Sequence, residues 1–156
     1  LISQGCKRIA MMAGQQHLFT SRNRLRGYID ALKKHNLPVM ESHIIHTQYA
    51  SNKVEEYARY IINLPQRPDA VFALNDYTAI EMMHIMKKHG LRIPEDIALL
   101  GFNNENMCRF VEPSLSSIDH PAQDMGAAAA EILLQFETMS PCSVDLIDLK
   151  GPFQLN

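Results

Sequence analysis

The sequence has little clustered positive charge and no long apolar run. Its 15 Lys and Arg residues stand against 17 Asp and Glu, which gives a formal net charge of −2 at pH 7. The basic residues are scattered, apart from Arg22, Arg24 and Arg26. A nucleic-acid-binding face normally shows clustered Lys and Arg, and a membrane-spanning helix needs about 20 mostly apolar residues. The composition therefore argues against a DNA-contacting surface in this segment and against a membrane protein.

Cysteine is also scarce. The three cysteines, Cys6, Cys108 and Cys142, are far apart and odd in number. They form neither a disulfide framework nor a CxxC metal-binding motif. This usage fits a reducing, cytoplasmic compartment.

Motifs of metal sites and enzymes are absent as well. His43 and His46 are three apart in a predicted strand and so point to opposite faces. His84 and His89 are five apart on a predicted helix, which is a poor spacing for a metal pair. The sequence has no GxSxG, no GxGxxG and no phosphate-binding glycine loop. We therefore expect no metal, no cofactor and no enzymatic activity.

What the sequence does contain is a regular alternation of strand and helix signals. With 156 residues, of which 46% are hydrophobic and 21% charged, the chain can form one globular domain or part of a larger one. Apolar runs bounded by turn residues predict strands over 8–13, 39–45, 70–74, 97–102, 115–118 and 144–149. Strand and helix in strict alternation imply right-handed βαβ units, and hence an α/β fold with a parallel sheet flanked by helices.

Four helices are predicted from apolar residues at i, i+3, i+4 and i+7. Thr20 or Ser21 is expected to cap the first helix, and Asn52 with Glu55 has the spacing of a capping box before the second. Pro121 suits the first turn of the fourth. The four apolar stripes are Leu25, Tyr28, Ile29 and Leu32; Val54, Tyr57, Ala58 and Ile61; Ala79, Met82, Met83 and Met86; and Met125, Ala128, Ala129, Ile132 and Phe136.

Polar residues follow the third and fourth predicted strands. Asn75 and Asp76 come after the third strand, and Asn103 and Asn104 after the fourth. The carboxyl ends of parallel strands meet at one edge of a sheet, where open α/β sheets bind ligands. Either Asn75 and Asp76 only cap a helix, or one caps while the other faces a ligand. Asn103 and Asn104 form a turn by default, and ligand contact is the alternative.

Two further side chains are candidates for the same edge. Arg24 lies in the first turns of a helix that begins beyond a strand end. It is either a solvated helix residue or a fork of donors for hydroxyls and carboxylates. Tyr49 lies in a loop just before the second predicted helix, where it either covers the sheet edge or stacks on the ring of a sugar or base.

Seven short segments occur here in the order in which LacI/GalR-family transcription regulators carry them. They are GCKRIA at 5–10, RLRGY at 24–28, AVFALND at 70–76, IPEDI at 93–97, GFNN at 101–104, PSLSSI at 113–118, and DMG at 124–126 with the apolar run that follows it. Each segment is modest alone, but seven in one order across nearly the whole chain are highly specific. The chain resembles the C-terminal part of the effector-binding domain of this family.

The resemblance implies a domain organisation. Residues 1–156 would be mostly the second lobe of a periplasmic-binding-protein-like (type I) fold, without the DNA-binding helix-turn-helix and most of the first lobe. The last helix, within 119–138, would cross back to that missing lobe. Residues 1–5 also read as the end of a helix, and 152–156 stop without a cap. We expect both termini to be cut from a longer protein.

The resemblance also implies ligand contacts. By position, they fall on Thr20, Arg24, Tyr49, Asn75 and Asn103, and the ligand would be a sugar or another small polar effector. Many family members carry Asp where this chain has Asn103. An aspartate accepts two hydroxyl hydrogen bonds with its charge, whereas an amide both donates and accepts.

The same resemblance implies a biological role and partners. The whole protein would be a cytoplasmic homodimer that binds operator DNA through the missing domain, and the ligand would shift the arrangement of the lobes. The alternative function is that of a periplasmic sugar-binding protein of an uptake system, which would share the fold and lack the DNA-binding head.

Overall fold

The computed structural model of the chain describes residues 1–47 and 53–136, which form five strands and four helices. The strands are β1 (Ile9–Ala13), β2 (Ile44–His46), β3 (Ala70–Phe72), β4 (Ala98–Asn103) and β5 (Ser116–Asp119). The helices are α1 (Phe19–Lys34), α2 (Val54–Ile62), α3 (Asp76–Lys88) and α4 (Ala122–Phe136). The predictions for Tyr49, for Asn52 and for a strand over 144–149 lie outside the described residues.

The strands form one sheet in the order β2-β1-β3-β4-β5. Every neighbouring pair is parallel; Met11, for example, pairs with Ile44 of β2 on one side and Phe72 of β3 on the other. Parallel neighbours require crossover connections, and α1, α2 and α3 provide three of them. The predicted α/β architecture is confirmed.

The side chains of β1 divide the core into two layers. All five residues of β1 are buried, because a central parallel strand is covered on both faces. Ile9 and Met11 belong to the layer beneath α1, whereas Ala10 and Met12 belong to the layer shared with α2 and α3. This alternation follows from the period of two along a strand.

Apolar packing and one buried hydrogen bond hold helix α1 against one face of the sheet. Tyr28 and Leu32 are buried, with Leu25 and Ile29 packed beside them, as the predicted stripe requires. The Tyr28 hydroxyl donates to the carbonyl oxygen of Ile9 at 2.7 Å. Burial raises the pKa of Tyr28 to about 12, so the phenol stays protonated and keeps this bond.

Methionine fills much of the opposite layer. Met82, Met83 and Met86 of α3 are 0 to 4% exposed, and they belong to one cluster with Ala58 and Ile61 of α2. The predicted stripes of α2 and α3 are therefore confirmed. Burying a methionine side chain stabilises a fold by about 1.5–3 kcal/mol, so α3 is a major contributor to the stability of this half.

The start of α1 differs from the prediction. The helix begins at Phe19 with Leu18 as its N-cap residue, and no side chain caps it. The predicted caps, Thr20 and Ser21, are both inside the helix. Ser21 instead lies against Gly14, where an added Cβ would come within 2.5 Å of the Ser21 Oγ. The hydroxyl thus serves close packing of the helix onto the chain after β1.

Glu55 of the predicted capping box has another partner, while Asn52 lies outside the described residues. The helix begins at Val54 with Lys53 as N-cap and no side-chain capping bond. Glu55 does not reach back toward the N-terminus. Its Oε1 accepts from Nη2 of Arg59 at 2.8 Å, one turn further along the helix. The i,i+4 ion pair has taken the carboxylate that a capping box would use.

The second strand is shorter than its apolar run. Only Ile44–His46 is strand, and Glu41–His43 form a single 3-10 turn before it. His43 is buried in that turn, with Nε2 2.9 Å from the carbonyl oxygen of Gln66. The described residues contain no group of three or more His, Cys, Asp or Glu side chains placed to hold a metal ion.

Helix α4 is the exception to the packed architecture. Its large apolar side chains Met125, Leu133 and Leu134 are 41, 68 and 66% exposed. None of its residues belongs to either core cluster of the described residues, which involve α1, α2 and α3. Within the part of the chain that the structure describes, no helix is both long and apolar enough to cross a membrane.

Candidate ligand site at the carboxyl edge of the sheet

The carboxyl ends of the strands bring three separate segments of the chain to one edge. Strand β3 leads into α3 through Ala73 to Asn75, strand β4 ends at Asn103, and β5 ends at Asp119. Asn103 and Asp119 are register partners on adjacent strands. Since all strands are parallel, these ends and the start of α1 lie on the same side of the sheet.

Arg24 ties this edge together from α1. Its Nη1 donates to the carbonyl oxygen of Leu74 at 3.1 Å, just beyond β3. Its Cζ lies 3.6 Å from the centroid of the Phe102 ring, on β4. A guanidinium over an aromatic face is attracted by the ring quadrupole, which fixes the plane of the group. Half-buried Arg24 is thus an ordered part of the edge rather than a solvated helix residue.

Two aromatic rings extend the edge toward β5. The ring of His120 meets Phe102 edge to face, with centroids 5.9 Å apart and planes at 78°. This T-shaped arrangement is a favoured geometry for aromatic pairs. Arg24 and His120 therefore both contact Phe102, which stands at the centre of the group.

Asn75 resolves one of the alternatives left by the sequence. It is the N-cap residue of α3, and its Oδ1 accepts from the backbone N–H of Thr78 at 2.9 Å. Its neighbour Asp76 does not face a ligand, because it is 0% exposed. The residue that caps is therefore also the one that lies at the open edge, beside the carbonyl of Leu74 that Arg24 binds.

Asp76 holds the interior side of the edge. Its Oδ1 accepts from the hydroxyl of Ser117 at 2.5 Å, and its Oδ2 accepts from the backbone N–H of Glu105 at 2.7 Å. Burial, and next the charge and hydrogen bonding of Asp76, raise the pKa of the Cys108 thiol to about 11. One carboxylate thus connects α3, the loop after β4, and β5.

Asn103 and Asn104 form the turn that the sequence favoured. Both have positive φ, 110° and 57°, which non-glycine residues rarely adopt but asparagine tolerates. The backbone N–H of Asn104 donates to Ser117 Oγ at 3.0 Å, and its Nδ2 lies 3.4 Å from Asp119 Oδ1. The side chain of Asn103 is exposed at the end of β4.

Thr20 is placed less closely than the others. It is exposed in the first turn of α1, four residues before Arg24 and hence on the same side of that helix. The structure brings Arg24 together with the neighbours of Asn75 and Asn103, and Tyr49 lies outside the described residues.

Several residues of this edge were not predicted from the sequence. Phe102, Asp119 and His120 are such residues, and each makes a contact at the edge. The rule that identified Asn75 and Asn103, polar residues directly after a buried strand, would also have found Asp119 and His120 after the fifth strand. An open cavity of about 340 Å³ lies further along the edge; its lining includes Ala13, Arg22 and His46.

Comparison with known proteins identifies the family. A family model described as "periplasmic binding protein-like domain" matches residues 1–139. The chain belongs to the periplasmic binding protein-like domain family.

A curated relative of this periplasmic binding protein-like chain is the HTH-type transcriptional repressor CytR of Escherichia coli strain K12. The two are 32% identical over 134 residues, which cover 86% of this chain and 39% of CytR. The chain thus spans 39% of the length of this relative.

Solved structures agree with the fold. A LacI-family regulatory protein from Chloroflexus aggregans superposes with a TM-score of 0.82 at 29% identity, over 86% of this chain and 49% of that one. The transcriptional regulator CelR in complex with cellobiose gives a TM-score of 0.81 at 28% identity, over 90% and 44%. The predicted LacI-type resemblance is confirmed for this effector-binding domain, and these relatives are named as regulators rather than enzymes.

Proposed function

We propose that this chain is the effector-sensing part of a LacI-type transcriptional regulator, and that it binds a small polar ligand, foremost a sugar, at the carboxyl edge of its sheet. The observation that carries the proposal is the position of Arg24. It lies over Phe102 at the end of β4 and binds Leu74 beside Asn75. Helix α1 and the ends of β3 and β4 thereby meet at one edge of the sheet, where half-buried Asn75 and exposed Asn103 also lie.

The chemistry of this group suits a polyhydroxylated molecule. Asn75 and Asn103 offer amide groups, and a hydroxyl can accept from or donate to an amide. Half-buried Asp119 adds a carboxylate beside Asn103. Thr20 on α1 and Tyr49 complete the proposed set of contacts. The cellobiose complex of the structurally similar CelR supports a sugar as the first class to test.

The exposed surface of helix α4 supports the first lobe that is proposed for the whole protein. The described part of the chain leaves the apolar side chains of Met125, Leu133 and Leu134 exposed. Apolar surface of this kind marks an interaction site. We propose that the segment 119–138 crosses to a first lobe, and that a ligand held between the lobes shifts their arrangement.

Operator binding, dimerisation and a cytoplasmic location are proposed for the whole protein. DNA binding would use a helix-turn-helix outside this chain, as the name of the CytR relative supports. The proposed homodimer contact includes the aromatic side chains of Phe110 and Tyr77, which are 86 and 60% exposed. They lie on adjoining segments, because the Glu105 N–H bonds to Asp76. The alternative, a periplasmic uptake protein, finds no support in relatives that are named as repressors and regulators.

The decisive test replaces Arg24 with Ala in the full-length protein. We expect the Arg24→Ala protein to show no melting-temperature shift in a sugar screen. Fluorescence anisotropy should show that its operator binding no longer depends on ligand, while its basal operator binding remains. A bound ligand at 100 times its Kd stabilises by about 2.7 kcal/mol, which such a screen detects.

Arg26→Ala is the matched control. Arg26 lies on the same helix, but its side chain is 81% exposed and pairs only loosely with Asp30, at 3.7 Å. This variant should respond like the wild type. An Arg24→Ala protein with an undiminished ligand response would show that the site is assigned wrongly.

A further inference from the structure

The amides proposed to face the ligand lie on separate segments, and one buried carboxylate connects the two. Asn75 precedes Asp76 directly, so the cap and the carboxylate share the first turn of α3. Asn104 and Glu105 follow Asn103. The backbone N–H of Glu105 donates to Asp76 directly, and that of Asn104 donates to Ser117, which in turn donates to Asp76. The position of Asn103 relative to Asn75 therefore depends on this link.

Ser117 acts as a relay in the link. Its hydroxyl accepts from the N–H of Asn104 at 3.0 Å and donates to Asp76 Oδ1 at 2.5 Å. A serine hydroxyl has one donor and two acceptor sites, so it can make both bonds together. The 2.5 Å distance is at the short end of the range for O–H···O hydrogen bonds. Ser117 is 3% exposed, so water does not replace it readily.

The carboxylate also fits tightly against β4. A Cβ added to Gly101 would lie 2.0 Å from Asp76 Oδ1. Since a Cβ essentially never comes within 3.0 Å of a heavy atom outside its own residue and its chain neighbours, only glycine at 101 lets Asp76 occupy this position. The strand, the carboxylate and the hydroxyl are therefore fitted to one another.

The turn that receives these bonds has an unfavourable backbone. Asn103 and Asn104 both have positive φ, and such conformations persist in L-residues where the surroundings hold them. The bonds from Asn104 to Ser117 and from Glu105 to Asp76 fix the backbone directly after Asn103. Without them the turn could relax, and the Asn103 side chain would point elsewhere.

We propose that Asp76 is a positioning residue, which acts through Ser117 and the N–H of Glu105 to hold the left-handed turn at Asn103–Asn104 in a fixed relation to Asn75. The importance of this relation for ligand binding rests on the proposed function. The arrangement of the backbone itself does not, so it can be measured without a ligand.

The test is hydrogen exchange at single-residue resolution on the full-length protein without ligand. In Ser117→Ala, the Asn104 amide loses its acceptor and should exchange about tenfold faster, the change that a typical net hydrogen bond produces. The Glu105 amide, which binds Asp76 directly, should change less than about threefold, as should the amides of α3.

Two further variants separate the relay from general packing. Ser117→Thr retains the hydroxyl and should restore slow exchange at Asn104. Asp76→Asn removes one acceptor and should speed exchange at both Asn104 and Glu105. Ser116→Ala, at an exposed neighbour on β5, is the matched control and should leave both amides unchanged.

The outcomes are distinct. Equal acceleration of all amides in Ser117→Ala, or unchanged exchange at Asn104, would overturn the proposal, as would a threonine variant that behaves like alanine. Failure of the proposed function would show instead as a full ligand response in Arg24→Ala, whatever the exchange data give. A marginally folded Asp76→Asn protein would still leave the Ser117 pair decisive.

Discussion

Helices α3 and α4 are both apolar on one side, yet their environments are opposite. In α3, Met82 and Met86 are 0% exposed, whereas in α4 Met125 of the predicted stripe is 41% exposed. The spacing of the apolar residues does not explain the difference, since both helices show the spacing of a buried stripe. Met82 and Met86 pack in the core cluster that includes α2, whereas neither core cluster of the described residues contains a residue of α4. Burial therefore depends on the presence of a partner surface as well as on the amphipathic pattern.

The largest contrast should come from truncating one methionine in each of the two helices. Met86→Ala leaves a cavity in the packed layer and should lower the free energy of unfolding by about 2–5 kcal/mol. Met125→Ala, at a side chain 41% exposed in α4, should change it by less than about 0.5 kcal/mol in the 156-residue chain. Urea denaturation of both variants measures this.

The same methionine pair in the full-length protein sharpens the comparison. If the segment 119–138 packs on a first lobe, Met125→Ala should cost more than about 1 kcal/mol there, as a truncation at a buried site does. An equally small cost in both chains would contradict the proposed crossing of α4.

A glycine pair should give a smaller contrast of opposite sign. Gly101→Ala forces a Cβ against Asp76 and should destabilise by about 1–3 kcal/mol. Gly126→Ala in α4 meets no heavy atom within 4 Å and should stabilise the helix by about 0.5–1 kcal/mol. Thermal unfolding of both variants is the measurement, and a Gly101→Ala protein as stable as the wild type would show that the β4 contact with Asp76 is loose.

The smallest effect concerns the alkylation rates of two thiols, one in the packed interior and one at the periphery. Because the thiolate is the reactive form and the pKa of buried Cys108 is raised to about 11, alkylation there should be negligible at pH 8 and rise about tenfold per pH unit toward that value. Half-buried Cys6, whose pKa is also raised, chiefly by burial, should be labelled first. Mass spectrometry of iodoacetamide-treated Cys142→Ser protein reports the order, and faster labelling of Cys108 would mean that the loop after β4 opens.

Features encoded within one helix or strand were predictable from the sequence. The stripe of α3 and the alternation in β1 follow from spacings of a few residues. The helix caps were less predictable. Ser21 packs on Gly14 and Glu55 binds Arg59, so both side chains have partners that compete with a capping bond. The buried strand and the polar residues after it located the sheet edge correctly.

The details of the site were not predictable, because its contacts join residues far apart in the chain. Arg24 and Leu74 are 50 residues apart, and Asp76 and Ser117 are 41 apart. No periodicity or local motif encodes such a pairing. The residue pattern, and then the family resemblance, supplied Arg24, Asn75 and Asn103 as candidates, whereas the stacking on Phe102 and the relay through Ser117 required the structure.

The N-cap bond of Asn75 orders that amide before a ligand arrives. Its Oδ1 accepts from the N–H of Thr78, which engages one of the two lone pairs of the oxygen. The second lone pair and the two donors of Nδ2 are not used by that bond, so a ligand hydroxyl can donate to or accept from the side chain. Part of the entropy of fixing the amide is thereby met by helix α3 instead of by ligand binding.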